Sequence, residues 1–183
     1  MYSVKHMLEE SMPVLVLATS IAVATGLVLS FNRDFISVLP GVLIIIPSFN
    51  QMNGAISSVL SCRLSSALHL GLIHPKLHRT KTLDRNVLAT YLTALVSFSA
   101  FGLIAWMFNT ALGTASTNIW VFMGIVLLAG MLTTVALSVM SIMLSYVSYR
   151  KGMDPDNWVI PLMTSIGDFM GISLLLITAG LAV

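Results

Sequence analysis

The sequence has few charged residues and a single cysteine. Only 9% of its 183 residues are charged, against roughly 25% in an average soluble domain, and 57% are hydrophobic. A water-soluble domain of this length would need more polar surface, so the composition predicts an integral membrane protein. The net charge of +2 is too small to indicate a nucleic-acid partner. Cys62 cannot form an internal disulfide, because the chain has no second cysteine.

Recognisable catalytic motifs are also missing. The sequence contains no Walker motif, glycine-rich phosphate loop, HExxH zinc motif or nucleophile elbow. We therefore do not expect an enzyme. The N-terminal segment has no small-residue cleavage site before its apolar run, so we expect no cleaved signal peptide and expect the first span to direct insertion.

Five apolar stretches are long enough to cross a bilayer, whose core of about 30 Å takes about 20 helical residues. Backbone groups in lipid must be hydrogen-bonded internally, and the sequence lacks the alternating segments of a membrane β-barrel. The predicted fold class is thus an all-α integral membrane protein forming a single domain over residues 1–183. The predicted spans lie at about residues 12–31, 37–60, 87–109, 119–147 and 158–182.

The loops predict the orientation. When the loops are assigned to alternate sides, eight Lys and Arg residues fall on one side of the membrane and only Arg33 falls on the other. Most of the eight lie in the segment 62–86, which we expect to be a basic cytoplasmic loop. The positive-inside rule then places the N-terminus in the cytoplasm and the C-terminus outside, as expected for a multi-pass protein of the cell membrane.

One carboxylate interrupts the last span. Asp168 follows Trp158 by ten residues, a helical rise of about 15 Å that places it near the bilayer midplane. A charge there costs at least about 2.5–3.5 kcal/mol, and no Lys, Arg or His lies at a comparable depth in the predicted spans. The sequence therefore indicates an ion or proton site at Asp168. The alternative is a neutral Asp that is hydrogen-bonded between helices.

Two polar stripes accompany this carboxylate. In the fifth span, the side chains that share its helix face are Pro161, Thr164, Ser165 and Gly171. A similar stripe in the second span is formed by Asn50, Asn53, Gly54, Ser57 and Ser61. Their oxygens could line a cation path, and Pro47 could free a backbone carbonyl as in broken transporter helices. The alternative for both stripes is helix packing through small residues and interhelical hydrogen bonds.

Other polar groups carry weaker signals. The hydroxyl stripe of the fourth span, which begins at Thr134 and includes Ser141, is interpreted as interhelical contact, because no charge lies within it. His69, His74 and His78 are interpreted as solvated histidines of the basic segment, the alternative being a structural metal site.

The tetrapeptide DPDN at 154–157 is typical of a helix start. Asp154 would be the N-cap, Pro155 the first helical residue and Asp156 a carboxylate of the first turn. Asp154 and Asp156 would also attract cations to a cytoplasmic mouth.

Two segments resemble a known family. PSFNQMNGAISSVLSCRLSSALHLG, at 47–71, and DPDNWVIPLMTSIGD, at 154–168, resemble the two signatures of the MgtE-type magnesium transporters, in the form closest to their eukaryotic solute-carrier relatives. The resemblance implies a homodimer of five-helix halves with the pore on the dimer axis, lined by the second and fifth helices. It also implies that Asp168 is the midplane metal ligand, that Asn50 and Asn53 belong to the path, and that Mg²⁺ is imported.

The sequence departs from the family by lacking the acidic N-terminal domain, the paired regulatory domains and the internal duplication of the eukaryotic relatives. We therefore expect a stand-alone pore domain without their magnesium-sensing gate. The functional prediction is transport of a divalent cation, most simply Mg²⁺ passing through a channel. One alternative is a secondary carrier that exchanges Mg²⁺ for Na⁺ or H⁺, and another is a membrane subunit without transport of its own.

Overall fold

The computed structural model of the chain describes residues 4–38, 41–74, 80–113, 118–153 and 155–182. These residues form helices and turns, with no β-strand among them. The helices are α1 (Val4–Phe31), α2 (Arg33–Val38), α3 (Val42–His69), α4 (Lys81–Ala111), α5 (Ile119–Arg150) and α6 (Pro155–Leu181).

Five of these helices are long and apolar enough to cross a membrane, namely all except the six-residue α2. Large apolar side chains remain exposed along them, among them Val16, Val96 and Ile177, as expected where a helix faces lipid. The chain is thus an all-helical, multi-pass membrane protein. This confirms the predicted class and the predicted number of spans.

The second span begins later than predicted. Instead of one helix from residue 37, the chain forms α2, turns at Gly41 and starts α3 at Val42. Gly41 has φ +84°, a left-handed conformation that glycine adopts without strain. A Cβ there would lie 2.5 Å from Nδ2 of Asn109, so the end of α4 leaves no room for a side chain at this turn.

The same helix also ends later than predicted. α3 continues to His69, so Arg63 lies on a helix and the connection to α4 is shorter than the predicted loop at 62–86. Leu64 and Leu68 are buried in this extension, in a cluster with Ile73 and Tyr146. Burial of these side chains accounts for the extra helical turns, although Arg63 made this segment resemble a loop.

Helix α6 packs against three neighbours, α1, α3 and α5, while α4 packs against α5 and α3. The largest cluster of buried apolar side chains joins α3, α4, α5 and α6, and includes Phe49, Phe98, Val126 and Leu175. The rings of Phe49 and Phe98 lie 5.4 Å apart between their centroids, within the range of favourable aromatic pairs. The two helices that carry the predicted polar stripes, α3 and α6, are therefore direct neighbours.

Candidate functional site

Glycines bring α3 and α6 into close contact. A Cβ added at Gly171 would lie 2.8 Å from Nδ2 of Asn53 and 3.1 Å from Oδ1 of Asn50. A Cβ at Gly54 would lie 3.2 Å from Cγ2 of Thr164. Small residues allow this approach of two helices in a membrane protein. We call this contact the α3–α6 seam. It brings together members of both stripes that the sequence analysis predicted.

Two amide oxygens on this seam have no partner. Asn53 is 1% exposed, and its Nδ2 donates to the backbone oxygen of Phe49 at 3.1 Å. Oδ1 of Asn53 and Oδ1 of Asn50 are buried, and neither accepts a hydrogen bond in the described part of the chain. A buried acceptor without a donor costs roughly 1–3 kcal/mol. In the described structure both oxygens are therefore acceptors without a donor, and both lie against α6.

Asp168 occupies the middle of α6, thirteen residues from Pro155 and thirteen from Leu181. If α6 spans the bilayer from end to end, this is the position that the sequence analysis places near the midplane. Its side chain is half-buried, and among the described residues it forms no hydrogen bond or ion pair. The carboxylate therefore lies where charge is most costly, and no basic side chain of the described chain offsets that cost.

The hydroxyls next to Asp168 lie on the open side of the seam. Thr164, one turn earlier on α6, is exposed and donates through Oγ1 to the backbone oxygen of Ile160 at 2.9 Å. Its Oγ1 also lies 3.5 Å from Oγ of Ser58 on α3. Ser165 is half-buried. The sequence analysis did not single out Ser58, although its position four residues after Gly54 places it on the same helix face.

Other members of the α3 stripe turn towards α5. Oγ of Ser61 donates to Oγ of Ser141 on α5 at 3.2 Å. Ser57 lines a small cavity with Thr134 and Ser138 of α5, and this cavity has no room for a water molecule. Asn53 borders the same cavity, so the α3 stripe is continuous and meets both α5 and α6. The predicted role of Ser57 in lining an ion path stays a prediction.

The remaining candidates lie at the ends of helices. His69 has Nδ1 2.9 Å from the backbone oxygen of Ser65 and packs edge-on against Tyr149, while His74 is exposed and His78 lies outside the described residues. No cluster of three or more His, Cys, Asp or Glu side chains occurs in the described ranges.

The predicted cytoplasmic mouth is only partly within the described structure. Pro155 begins α6, as the DPDN motif predicts. Asp154 and the side chain of Asp156 lie outside the described residues, so their predicted role at a cytoplasmic mouth stays a prediction.

Comparison with known proteins gives the family. Residues 46–178 match the family model MgtE, described as a divalent cation transporter, and this range contains the whole α3–α6 seam. Solute carrier family 41 member 2 of Xenopus laevis is 28% identical over 152 residues, which cover 76% of this chain and 27% of that protein. Solute carrier family 41 member 3 of Mus musculus is 26% identical over 137 residues, 72% of this chain and 27% of that protein. The chain thus spans about a quarter of the length of these curated relatives. No solved structure matches it.

Proposed function

The chain belongs to the MgtE family of divalent cation transporters, and from this premise we propose that it carries Mg²⁺ across the cell membrane along a path on the open side of the α3–α6 seam. The observation that carries the proposal is Asp168, a carboxylate in the middle of α6 without a hydrogen bond or ion pair in the described part of the chain. A divalent cation would offset the cost of this charge. The unpaired oxygens of Asn50 and Asn53 lie on the neighbouring helix and supply further ligand atoms of the type that Mg²⁺ prefers.

The site suits a cation that keeps most of its water. Mg²⁺ gives up water reluctantly and commonly binds through one or two carboxylates. Asp168 would neutralise the ion, and the Asn50 and Asn53 oxygens would accept hydrogen bonds from its water shell or replace one or two waters. Thr164 and Ser165 would contact the same shell from the side of α6. In this proposal Mg²⁺ is the transported ion, and the pore residues bind it only while it passes through.

We further propose that the site is completed by a second copy of the chain. Gln51 and Thr164 are exposed on the two membrane-spanning helices that form the seam, and Asp168 is only half-buried. Facing lipid, these polar groups would be costly. A second copy would cover them. A two-fold axis beside Asp168 would bring two carboxylates to one divalent cation and would form the pore between the subunits.

The direction of transport follows from the charge pattern and the membrane potential. In the proposed orientation the N-terminus and the basic connection between α3 and α4 lie in the cytoplasm. A divalent cation that moves inward through the whole potential gains about 4.6 kcal/mol per 100 mV, since each charge contributes about 2.3 kcal/mol. This gain is enough to drive uptake without another energy source.

The test is Mg²⁺ flux into liposomes that contain the purified protein. Asp168→Asn keeps the shape of the side chain and removes its charge, and Asp168→Ala removes the ligand altogether. We expect both variants to lower the flux by at least about tenfold, equivalent to about 1.4 kcal/mol in the ion's interaction with the path. Asp84→Asn is the matched control, because it removes an exposed carboxylate from the first turn of α4. Flux that is unchanged in both Asp168 variants contradicts the assignment.

Flux measurements and single-channel recordings together distinguish a channel from a secondary carrier. Flux that depends strictly on a Na⁺ or H⁺ gradient would favour a secondary carrier, whereas single-channel currents would favour a channel. If folded wild-type protein moves no divalent cation in liposomes, the chain acts instead as a membrane subunit without transport of its own.

A further inference from the structure

A second feature of the molecule lies on the opposite side of α3 from α6. A crevice of about 250 Å³ runs between α3 and α4 and is lined by Met52, Ala55, Ile56, Val59, Arg63, Thr90, Thr93 and Ser97. A pocket of about 370 Å³ continues it towards the α3–α4 connection and is lined by Arg63, Ser66, Thr82 and Asn86, among others. Arg63 belongs to both, so the two form one trough. We call it the α3–α4 groove. No function assigned above uses it.

Both parts of the groove combine apolar and polar side chains. In the inner part, Met52, Ala55 and Val59 of α3 lie across from Thr90, Thr93 and Ser97 of α4. In the outer part, Ala67, Leu70 and Leu72 lie beside Ser66, Thr82 and Asn86. What distinguishes the outer part is charge, because Arg63 lies where the two parts meet. A mainly apolar groove with an arginine towards one end matches a phospholipid, which has an acyl chain towards the centre of the bilayer and a charged headgroup at its surface.

The depth of Arg63 fits a headgroup. Gly54 lies opposite Thr164, four residues or about 6 Å before Asp168 at the middle of α6, and Arg63 follows Gly54 by nine residues, a further rise of about 14 Å. The guanidinium therefore lies about 20 Å from the midplane. Half of the hydrocarbon core is about 15 Å, and half of the bilayer with its headgroups is about 20–22 Å, so this depth is that of the headgroups. From Met52 to Arg63 the groove is about 16 Å long, close to the thickness of one leaflet.

The charge around the outer pocket is positive. Arg63 is exposed and forms no hydrogen bond or ion pair in the described ranges. Lys81 and Arg85, both exposed, lie in the first two turns of α4, where Asp84 is the one acidic residue. Basic pockets between membrane helices on the cytoplasmic side recognise anionic lipid headgroups. A guanidinium can bind a phosphate through two parallel hydrogen bonds.

We propose that the α3–α4 groove binds an anionic phospholipid, with its phosphate at Arg63 and one acyl chain between α3 and α4. Ala55, Val59 and Thr93 line the groove and are exposed on two membrane-spanning helices, which favours a bilayer component over a soluble phosphate compound. The bound lipid would pack against Ile56 and Thr90, which also border the small cavity beside Asn53. It would thus support α3 from the side opposite the α3–α6 seam.

Native mass spectrometry of delipidated protein tests this proposal. The protein is titrated with phosphatidylglycerol or with phosphatidylethanolamine of the same acyl chains. Arg63→Gln should weaken the binding of phosphatidylglycerol by about fivefold, corresponding to the roughly 1 kcal/mol that one basic residue gains near an anionic surface. Arg150→Gln is the matched control, because it removes an exposed arginine from the end of α5 that does not line the groove. It should change binding by less than about twofold.

A second pair of variants tests the apolar part without altering charge. Ala55→Phe fills the groove and should prevent tight binding, whereas Ala22→Phe adds the same ring at an exposed position of α1 and should not. Should Ala55→Phe fail to fold, the Arg63 and Arg150 pair decides the outcome.

Three results would overturn the proposal. These are equal effects of Arg63→Gln and Arg150→Gln, equal affinity for the two lipids, and thermal stabilisation by inorganic phosphate as large as that by phosphatidylglycerol. The readout is lipid binding, so it stands independently of whether the protein transports Mg²⁺.

Discussion

The substitution Gly171→Ala tests the α3–α6 seam with the smallest possible change. The added Cβ would lie 2.8 Å from Nδ2 of Asn53 and 3.1 Å from Oδ1 of Asn50, whereas ordinary van der Waals contacts lie at 3.4–4 Å. Either the Asn53 amide must move by about half an ångström or α3 and α6 must separate. Asn53 has little freedom to move, because it is 1% exposed and already donates to the backbone oxygen of Phe49.

The expected cost is that of overpacking a rigid site, about 1–3 kcal/mol in the free energy of unfolding. Gly26→Ala and Gly124→Ala serve as controls, since a Cβ at either position meets nothing within 4 Å. We call this pair the open-glycine variants. They should leave stability unchanged or raise it slightly, because alanine favours helices more than glycine does. The difference between Gly171→Ala and these controls isolates the contact from the change in helix propensity.

A double-mutant cycle attributes the cost to a particular neighbour. Asn53→Ala removes the amide that the new methyl group would strike, so it should relieve most of the cost of Gly171→Ala, leaving a coupling of at least about 1 kcal/mol. Unfolding in detergent mixtures gives the stabilities, and Mg²⁺ flux in liposomes shows whether the altered seam still conducts. Additive effects, or a Gly171→Ala protein as stable as the open-glycine variants, would refute the close approach of α3 and α6.

Two further predictions concern packing within one chain and between two. Gly130→Ala should destabilise by about 1–3 kcal/mol in detergent unfolding, since its Cβ would lie 2.5 Å from the ring of Phe98; stability equal to that of the open-glycine variants would contradict this. In a Cys62→Ala background, Thr164→Cys should form an oxidative cross-link between two copies, because identical residues meet near a two-fold axis. Val96→Cys, on the exposed side of α4, should not cross-link. Equal cross-linking of both would argue against a dimer axis at Thr164.

The spans could be predicted from the sequence because hydropathy alone decides which segments enter a bilayer. The ends of α3 could not, because tertiary contacts set both of them. Its start depends on the turn at Gly41, against which Asn109 of α4 packs. Its end depends on Leu64 and Leu68, which are buried against the connection and α5. Leu60, Leu64 and Leu68 do recur at four-residue spacing, but Arg63 and the basic residues after it favoured a loop.

The polar stripes could be predicted from the sequence, because helical spacing alone places their residues on one face. Which neighbouring helix each residue meets could not be predicted. Asn50, Asn53, Ser57 and Ser61 share one face of α3 by spacing alone. In the structure that face meets two helices, with Asn50 and Asn53 against α6 and Ser61 bonded to Ser141 of α5. A stripe about 100° wide can contact two neighbours at once, and only the packing of α5 and α6 decides which residue meets which.

The proposals for the ion and for the second copy of the chain support each other on electrostatic grounds. Two Asp168 carboxylates brought together at the bilayer midplane would repel one another, and each already costs at least about 2.5–3.5 kcal/mol in lipid. A dimer axis beside Asp168 is therefore unfavourable unless a cation lies between the carboxylates, and a divalent cation balances their two charges. Conversely, the half-buried carboxylate of a single chain would bind such an ion on one side only, and the other side of the ion would face lipid. The proposed site thus needs both components, and flux and cross-linking test them separately.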